Sequence, residues 1–143
     1  MEEGKGIAVI GDQAVKEIAQ LMDDQTKLYP EIEYFGRDGH DVFKKLWPDG
    51  EMERLPLAPS LKLRNHSPTG FSWGYAGSGP AQLALALLLD ATSVPETAER
   101  WYQTFKSNLV AKWDFNGSWV IFRSDIRNWL QLMESRELKV GEN

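Results

Sequence analysis

Six residues within the stretch 64–79 carry the groups needed to hold an anionic or nucleotide-like small molecule. Arg64 and His66 offer charge and hydrogen bonds, Trp73 and Tyr75 offer flat rings for stacking, and Ser78 and Gly79 stand at the start of a helix. The first N–H groups of a helix have no partner inside it, and the macrodipole leaves partial positive charge there, so such a start can receive a phosphate or carboxylate. Gly77 and Gly79 would let an anion come close to the backbone, although the lysine of a complete phosphate-binding loop is missing. The same residues also have structural uses. Ser78 or Gly79 can simply cap the helix, the rings can pack in a core, and His66 can pin the turn Ser67-Pro68-Thr69-Gly70. Acid–base chemistry by His66, as in a small hydrolase or transferase, is the weakest of these options. Ser67 is adjacent and poorly placed, Ser78 is distant, and no orienting carboxylate is identifiable, so no catalytic residue is assigned.

The elements that position these groups can be read on either side. Phe71, Trp73 and Tyr75 alternate with Ser72, Gly74 and Ala76, which predicts a strand with three rings on one face and a nearly bare face opposite, open to another backbone. Pro80 suits a first helical turn, and Ala81 to Leu89 is apolar apart from Gln82, which predicts a buried central helix over 80–90. Upstream, Glu31 to Phe35 and Asp41 to Trp47 read as strands across the turn 36–40. Glu51 to Leu57 and Leu61 to Arg64 continue the meander after Pro48-Asp49-Gly50. Asp38, His40 and Asp41 in the first turn lack recognisable metal-ligand spacing, and no metal site is expected. Nearer the N-terminus, Gly6 to Ile10 reads as a strand, and Val15, Ile18, Ala19 and Met22 give an apolar stripe to a helix over about 12–27.

Downstream, Ser93 and Glu96 have capping-box spacing, and Val94, Ala98, Trp101, Phe105 and Leu109 mark one face of a helix. Asn116-Gly117 predicts a hairpin turn between Lys112–Phe115 and Ser118–Arg123. Ser124 is placed as the cap of a last helix that buries Ile126, Trp129, Leu130 and Met133, with a tail fraying beyond Arg136. Together these give a single domain over 1–143 of α+β class, a mainly antiparallel sheet packed on three or four helices.

Composition narrows the partners. The chain has 143 residues and no cysteine, which removes disulfides, thiolate metal sites and thiol nucleophiles and fits a reducing compartment. No apolar run is long enough to cross a bilayer, and the acidic opening Met1-Glu2-Glu3 does not look like an export signal, so a cytoplasmic location and no membrane partner are expected. Residues 1–60 hold 13 Asp/Glu against 7 Lys/Arg, a balance of −6, while residues 61–143 hold 8 against 9; the whole chain is at −5. Without a Lys/Arg cluster, backbone-tracking nucleic-acid binding is not expected. Six tryptophans either fill an aromatic core or mark an interface such as a homodimer.

The run from Arg64 to Leu89, with its His-Ser-Pro-Thr-Gly-Phe turn, Trp-Gly-Tyr segment and Gly-Ser-Gly-Pro-Ala-Gln-Leu-Ala-Leu-Ala helix start, resembles a small functionally uncharacterised family of bacteria, phages and plasmids. The resemblance continues through Trp101-Tyr102-Gln103-Thr104-Phe105-Lys106 and covers about 34–133, leaving 1–30 as an N-terminal addition. It implies a shared fold unit and a phage or mobile-element setting, and it brings no activity, cofactor or catalytic residue. The expected function is therefore a non-enzymatic binding protein, such as a phage or mobile-element counter-defence factor acting in a host cytoplasm. Its pocket would have Arg64, His66, Trp73, Tyr75, Ser78 and Gly79 as walls. The alternative from another class is an inhibitor that engages a host protein through the acidic residues 1–60.

Overall fold

The computed structural model describes residues 16–17, 30–37 and 40–142, with side chains to Lys139. Contacts divide the chain into two compact units, Met1–Glu31 and Ile32–Asn143. In the first, Lys16 and Glu17 are helical; the expected strand at 6–10 and the rest of the expected helix over 12–27 lie outside the described residues, as does Asp38. The architecture below is that of the second unit.

Strands β1 (Ile32–Arg37), β2 (Asp41–Leu46), β3 (Glu53–Arg54) and β4 (Trp119–Phe122) form one antiparallel sheet in the order β3-β2-β1-β4. Four helices complete the unit: α1 (Ala58–Leu63), α2 (Ser78–Thr92), α3 (Pro95–Asn108) and α4 (Arg123–Glu142). The class is α+β, as expected. Register sets the two faces of the sheet. Tyr34 opposes Lys44 and Ile121, and Gly36 opposes Val42 and Trp119, so Tyr34, Gly36, Val42, Trp119 and Ile121 share the buried face. The other face carries a stacked Phe35–Phe43 pair, with the Arg37 guanidinium over both rings and that of Arg54 over Phe43.

Helix α2 is the centre of the core. Its residues from Gly79 to Leu88 are all buried, and α3 packs against it through Ala98, Trp101, Tyr102 and Phe105. From α4, Ile126, Leu130 and Met133 close the cluster, with Trp129 half-buried against Phe105. Of the apolar stripes expected on these two helices, Ala98, Trp101 and Phe105 of α3 and Ile126, Leu130 and Met133 of α4 are buried, whereas Val94 precedes α3 and is 41% exposed.

Two polar side chains on α2 tie the surroundings to it. Gln82 is fully buried; its Oε1 accepts the N–H groups of His66 (2.8 Å) and Ser67 (3.0 Å), and its Nε2 donates to Ser60 Oγ at 2.8 Å. One amide therefore fastens both the 66–67 turn and α1. At the other end, Asp90 accepts from the Tyr34 hydroxyl and from Lys44 Nζ, each at 2.7 Å, which binds β1 and β2 to the helix. Burial, and then the neighbouring Asp90 carboxylate, push the Tyr34 phenol well above its ordinary value of 10.0.

Several local expectations are overturned. Leu61–Arg64 is not a strand: Pro59 presets the first turn of α1, which occupies 58–63. Of Glu51–Leu57 only Glu53 and Arg54 pair. The segment Phe71–Tyr75 is not a strand either, because Gly74 turns the chain at φ +85°. Its rings diverge, with Trp73 fully buried and Tyr75 44% exposed. The close backbone approach expected at Gly74 is real. Its N–H donates to Val110 O at 3.0 Å, and a Cβ there would stand 2.6 Å from the Phe115 backbone.

The Asn116-Gly117 turn forms, with Gly117 N–H donating to Asp114 O at 3.0 Å, yet no hairpin results. Residues 110–112 make a 3-10 turn, and β4 pairs with β1 instead. Ser93 is not the cap of α3. At φ +58° it terminates α2, its N–H donating to Leu89 O, and Val94 stands at the start of α3 without a side-chain cap. Helix α4 starts at Arg123 rather than after Ser124, with Asp125 Oδ2 accepting the Phe122 N–H. It does not fray beyond Arg136 but runs to Glu142, with Arg100 of α3 bonded to Glu137.

Three outcomes follow from this packing. Gln82→Leu should lower unfolding free energy in urea by about 3 kcal/mol, since two backbone donors and Ser60 lose a buried partner. Gly36→Ala should cost a similar amount, about 3 kcal/mol, because its Cβ would fall 2.3 Å from Trp119 Nε1 and 2.9 Å from the Trp73 ring. The raised Tyr34 phenol sets a pH window. Below its unfolded value both states are protonated, and above it the unfolded state ionises while the folded state holds its proton, so stability is lost as pH rises. Wild type should therefore lose about 1.4 kcal/mol per pH unit more than Tyr34→Phe above about pH 10 in parallel urea titrations.

Candidate functional site

The amino end of α2 is built from the segment that precedes it. Gly77 is the N-cap, in place of the expected Ser78 or Gly79; it offers no side chain, no other side chain caps the turn, and the first turn contains no acid. Pro80 sits in that turn, as its fixed φ favours. No carboxylate within the first turn offsets the partial positive charge of the helix end. Tyr75 leans over it: a Cβ on Gly77 would meet the Tyr75 ring at 2.5 Å, and one on Gly79 would lie 3.1 Å from the Tyr75 hydroxyl and 2.6 Å from Ser72 Cβ. Glycine at 77 and 79 is what lets the Tyr75 ring and the Ser72 turn sit this close.

Beside Tyr75 stands Phe115, at 5.8 Å between ring centroids in edge contact, and the two rings are 44% and 47% exposed. Phe115 also meets His40, ring to ring at 4.7 Å. His40 also lies against Trp73, at 4.3 Å between ring centroids. An unbroken row of rings therefore runs from the buried Trp73 through His40 and Phe115 to the exposed Tyr75.

Both nitrogens of His40 are engaged. Nε2 is 3.0 Å from Phe115 O and Nδ1 is 2.8 Å from Ser72 Oγ. Because a carbonyl oxygen only accepts, the Nε2 proton must be the donor, and in the neutral ring Nδ1 accepts the Ser72 hydroxyl. The residue holds this position with φ +62°, a left-handed conformation uncommon outside glycine. His40 also lines an open cleft of about 420 Å³ with Asp41, Arg54, the segment 55–57 and the turn 69–71.

The six residues singled out in the sequence divide into two groups. Tyr75, Ser78 and Gly79 are together at the amino end of α2, while Trp73 is buried in the core, its indole N–H donating to Asp114 O at 2.9 Å. Arg64 and His66 are turned toward α3: Arg64 is 3.9 Å from Glu99, and His66 Nε2 is 2.8 Å from the Tyr102 hydroxyl. Phe115, His40 and Ser72 complete the site and were not assigned to it from sequence. Ser72 lay inside the motif as part of a supposedly bare strand face, and His40 is one of only two histidines in the chain. No spacing rule joins positions 32 residues apart, so only their types could have drawn notice.

Among the described residues no helix is long and apolar enough to cross a membrane. No curated protein and no solved structure matches the chain. Residues 34–132, which hold the whole of this site, match a family model, and the chain belongs to that family of unknown function (DUF6166).

Proposed function

We propose that this protein binds a small anionic, nucleotide-like molecule at the amino end of α2, its anionic group on the N–H groups of the first turn and its planar part against Tyr75 and Phe115. The observation that carries the reading is the coincidence of two features at one place. One is a helix start with neither a side-chain cap nor an acidic residue, and the other is a pair of rings nearly half exposed beside it. Helix N–H groups favour an anion, and exposed rings favour a planar group by stacking, so the two features select the same class of ligand. The exposed Ser78 adds a hydroxyl. Trp73, fully buried, is linked to these rings only through His40 and Phe115. Arg64 and His66 have their partners on α3 and are left out of the wall.

Calorimetric titration with mono-, di- and triphosphate nucleotides and cyclic nucleotides tests this reading. A member of the panel should bind, and Tyr75→Ala should weaken it by about 1–3 kcal/mol, the loss typical of one stacked ring. Ser78→Pro removes one first-turn N–H where proline is tolerated, and it should weaken binding about tenfold without unfolding the chain. If no nucleotide binds at about 1 mM, the lower end of useful affinity, the proposal fails.

A further inference from the structure

We propose a second activity, independent of the nucleotide ligand: Ser72 and His40 form a nucleophile–base pair that accepts an acyl group from esters of small apolar carboxylic acids entering the adjacent cleft. The geometry meets the requirements for such a pair in turn. The hydroxyl is within hydrogen-bond reach of the base, at 2.8 Å from Nδ1, and the ring is held by a third group, the Phe115 carbonyl at 3.0 Å from Nε2. That carbonyl fixes the proton on Nε2 and leaves the Nδ1 lone pair aimed at the hydroxyl. When Nδ1 takes the proton, the resulting imidazolium faces the Trp73 ring at 4.3 Å, where the π-face favours a cation. The left-handed backbone at His40 is the kind of local strain that concentrates at functional positions.

The cleft reaches the pair through His40, which is in its wall together with Phe71; Ser72, 9% exposed, is bonded to the first and next in sequence to the second. Val42, Leu55 and Leu57 supply an apolar surface for the acyl chain, and Gly70 leaves open space, with no atom within 4 Å of where a Cβ would be. Ser72 also packs on Gly79 in the first turn of α2, where an added Cβ would fall 2.6 Å from the Ser72 Cβ.

The step balances without a co-reactant other than water. Ser72 Oγ adds to the ester carbonyl carbon as its proton passes to His40 Nδ1. The bond from carbonyl carbon to the alkoxy oxygen then breaks, and the departing alcohol takes that proton. Water next attacks the acyl-serine and gives its proton to Nδ1; the bond to Oγ breaks, releasing the carboxylic acid and restoring the hydroxyl with that proton.

The full chain should be treated with a fluorophosphonate, which phosphonylates activated serines, and examined by intact mass and peptide mapping. The expected result is one adduct per chain, on Ser72, absent from Ser72→Ala. Labelling of His40→Asn, which keeps a residue tolerant of positive φ, should be about 100-fold slower, the scale of general-base assistance. A burst of p-nitrophenol from p-nitrophenyl butyrate, one equivalent per chain, should accompany it. No Ser72 adduct in the wild type, under conditions that label a serine esterase to completion, overturns the proposal. So does labelling at another residue only, or an unchanged rate in His40→Asn with a native near-ultraviolet spectrum. The wild-type result decides even if the His40 variant fails to fold, and no nucleotide enters the test.

Discussion

Helix α2 has no face that could meet water, since eleven of its fifteen residues are buried and they lie on every side of it. Such a helix is stable only when enclosed, so the sheet, α1, α3, α4 and the turn at 66–67 must be held against it. Apolar contact provides the driving force but is not directional. Direction comes from Gln82 and Asp90, whose side chains bond to the turn and α1 at one end and to β1 and β2 at the other. An unpaired amide inside this core would cost more than the bonds themselves contribute, which makes Gln82 a constraint on the arrangement of its neighbours. Enclosure also decides where chemistry can occur, because only the ends of α2 come near the surface.

Long-range order was legible where it followed from periodicity. The apolar run 83–89 points to a helix enclosed on every side, and the stripes Ala98-Trp101-Phe105 and Ile126-Leu130-Met133 each point to one buried face. The errors came where a single residue overrides a pattern. Alternation at 71–75 signals a strand, but Gly74 at positive φ needs no partner strand and turns the chain toward the Phe115 backbone. Leu61-Lys62-Leu63 alternates too, yet Pro59 had already set a helical turn. Ser93 fits a capping box by spacing, while its backbone is committed to ending α2. Each of these local signals was real and was assigned to the wrong neighbour.

The site was half legible for a related reason. Tyr75, Ser78 and Gly79 are contiguous with the start of α2, and their relation to it follows from chain connectivity. His66 lies farther upstream, and Gln82 captures its backbone and Tyr102 its ring, which turns it toward α3. The histidine that does enter the site arrives from the β1–β2 turn, across the sheet, and Phe115 arrives from the turn before β4. Those approaches depend on strand order β2-β1-β4, which nothing in the sequence specifies before pairing is known.

Burial separates what the core explains from what it does not. Trp73 is fully buried with its indole N–H satisfied, so packing accounts for it completely. Tyr75 and Phe115 sit beyond it in the same row of rings, each nearly half exposed, and a solvated turn needs neither ring. Single exposed aromatics call for no explanation, but two in contact beside an uncapped helix end are a different case. Each costs apolar exposure that a polar residue would avoid, and each is held in place by a backbone feature, the glycines at 77 and 79 under Tyr75 and the Gly74 contact under Phe115. The order of the segment thus converts a requirement of the core, anchoring the entrance to α2, into an exposed surface whose two rings the core does not use.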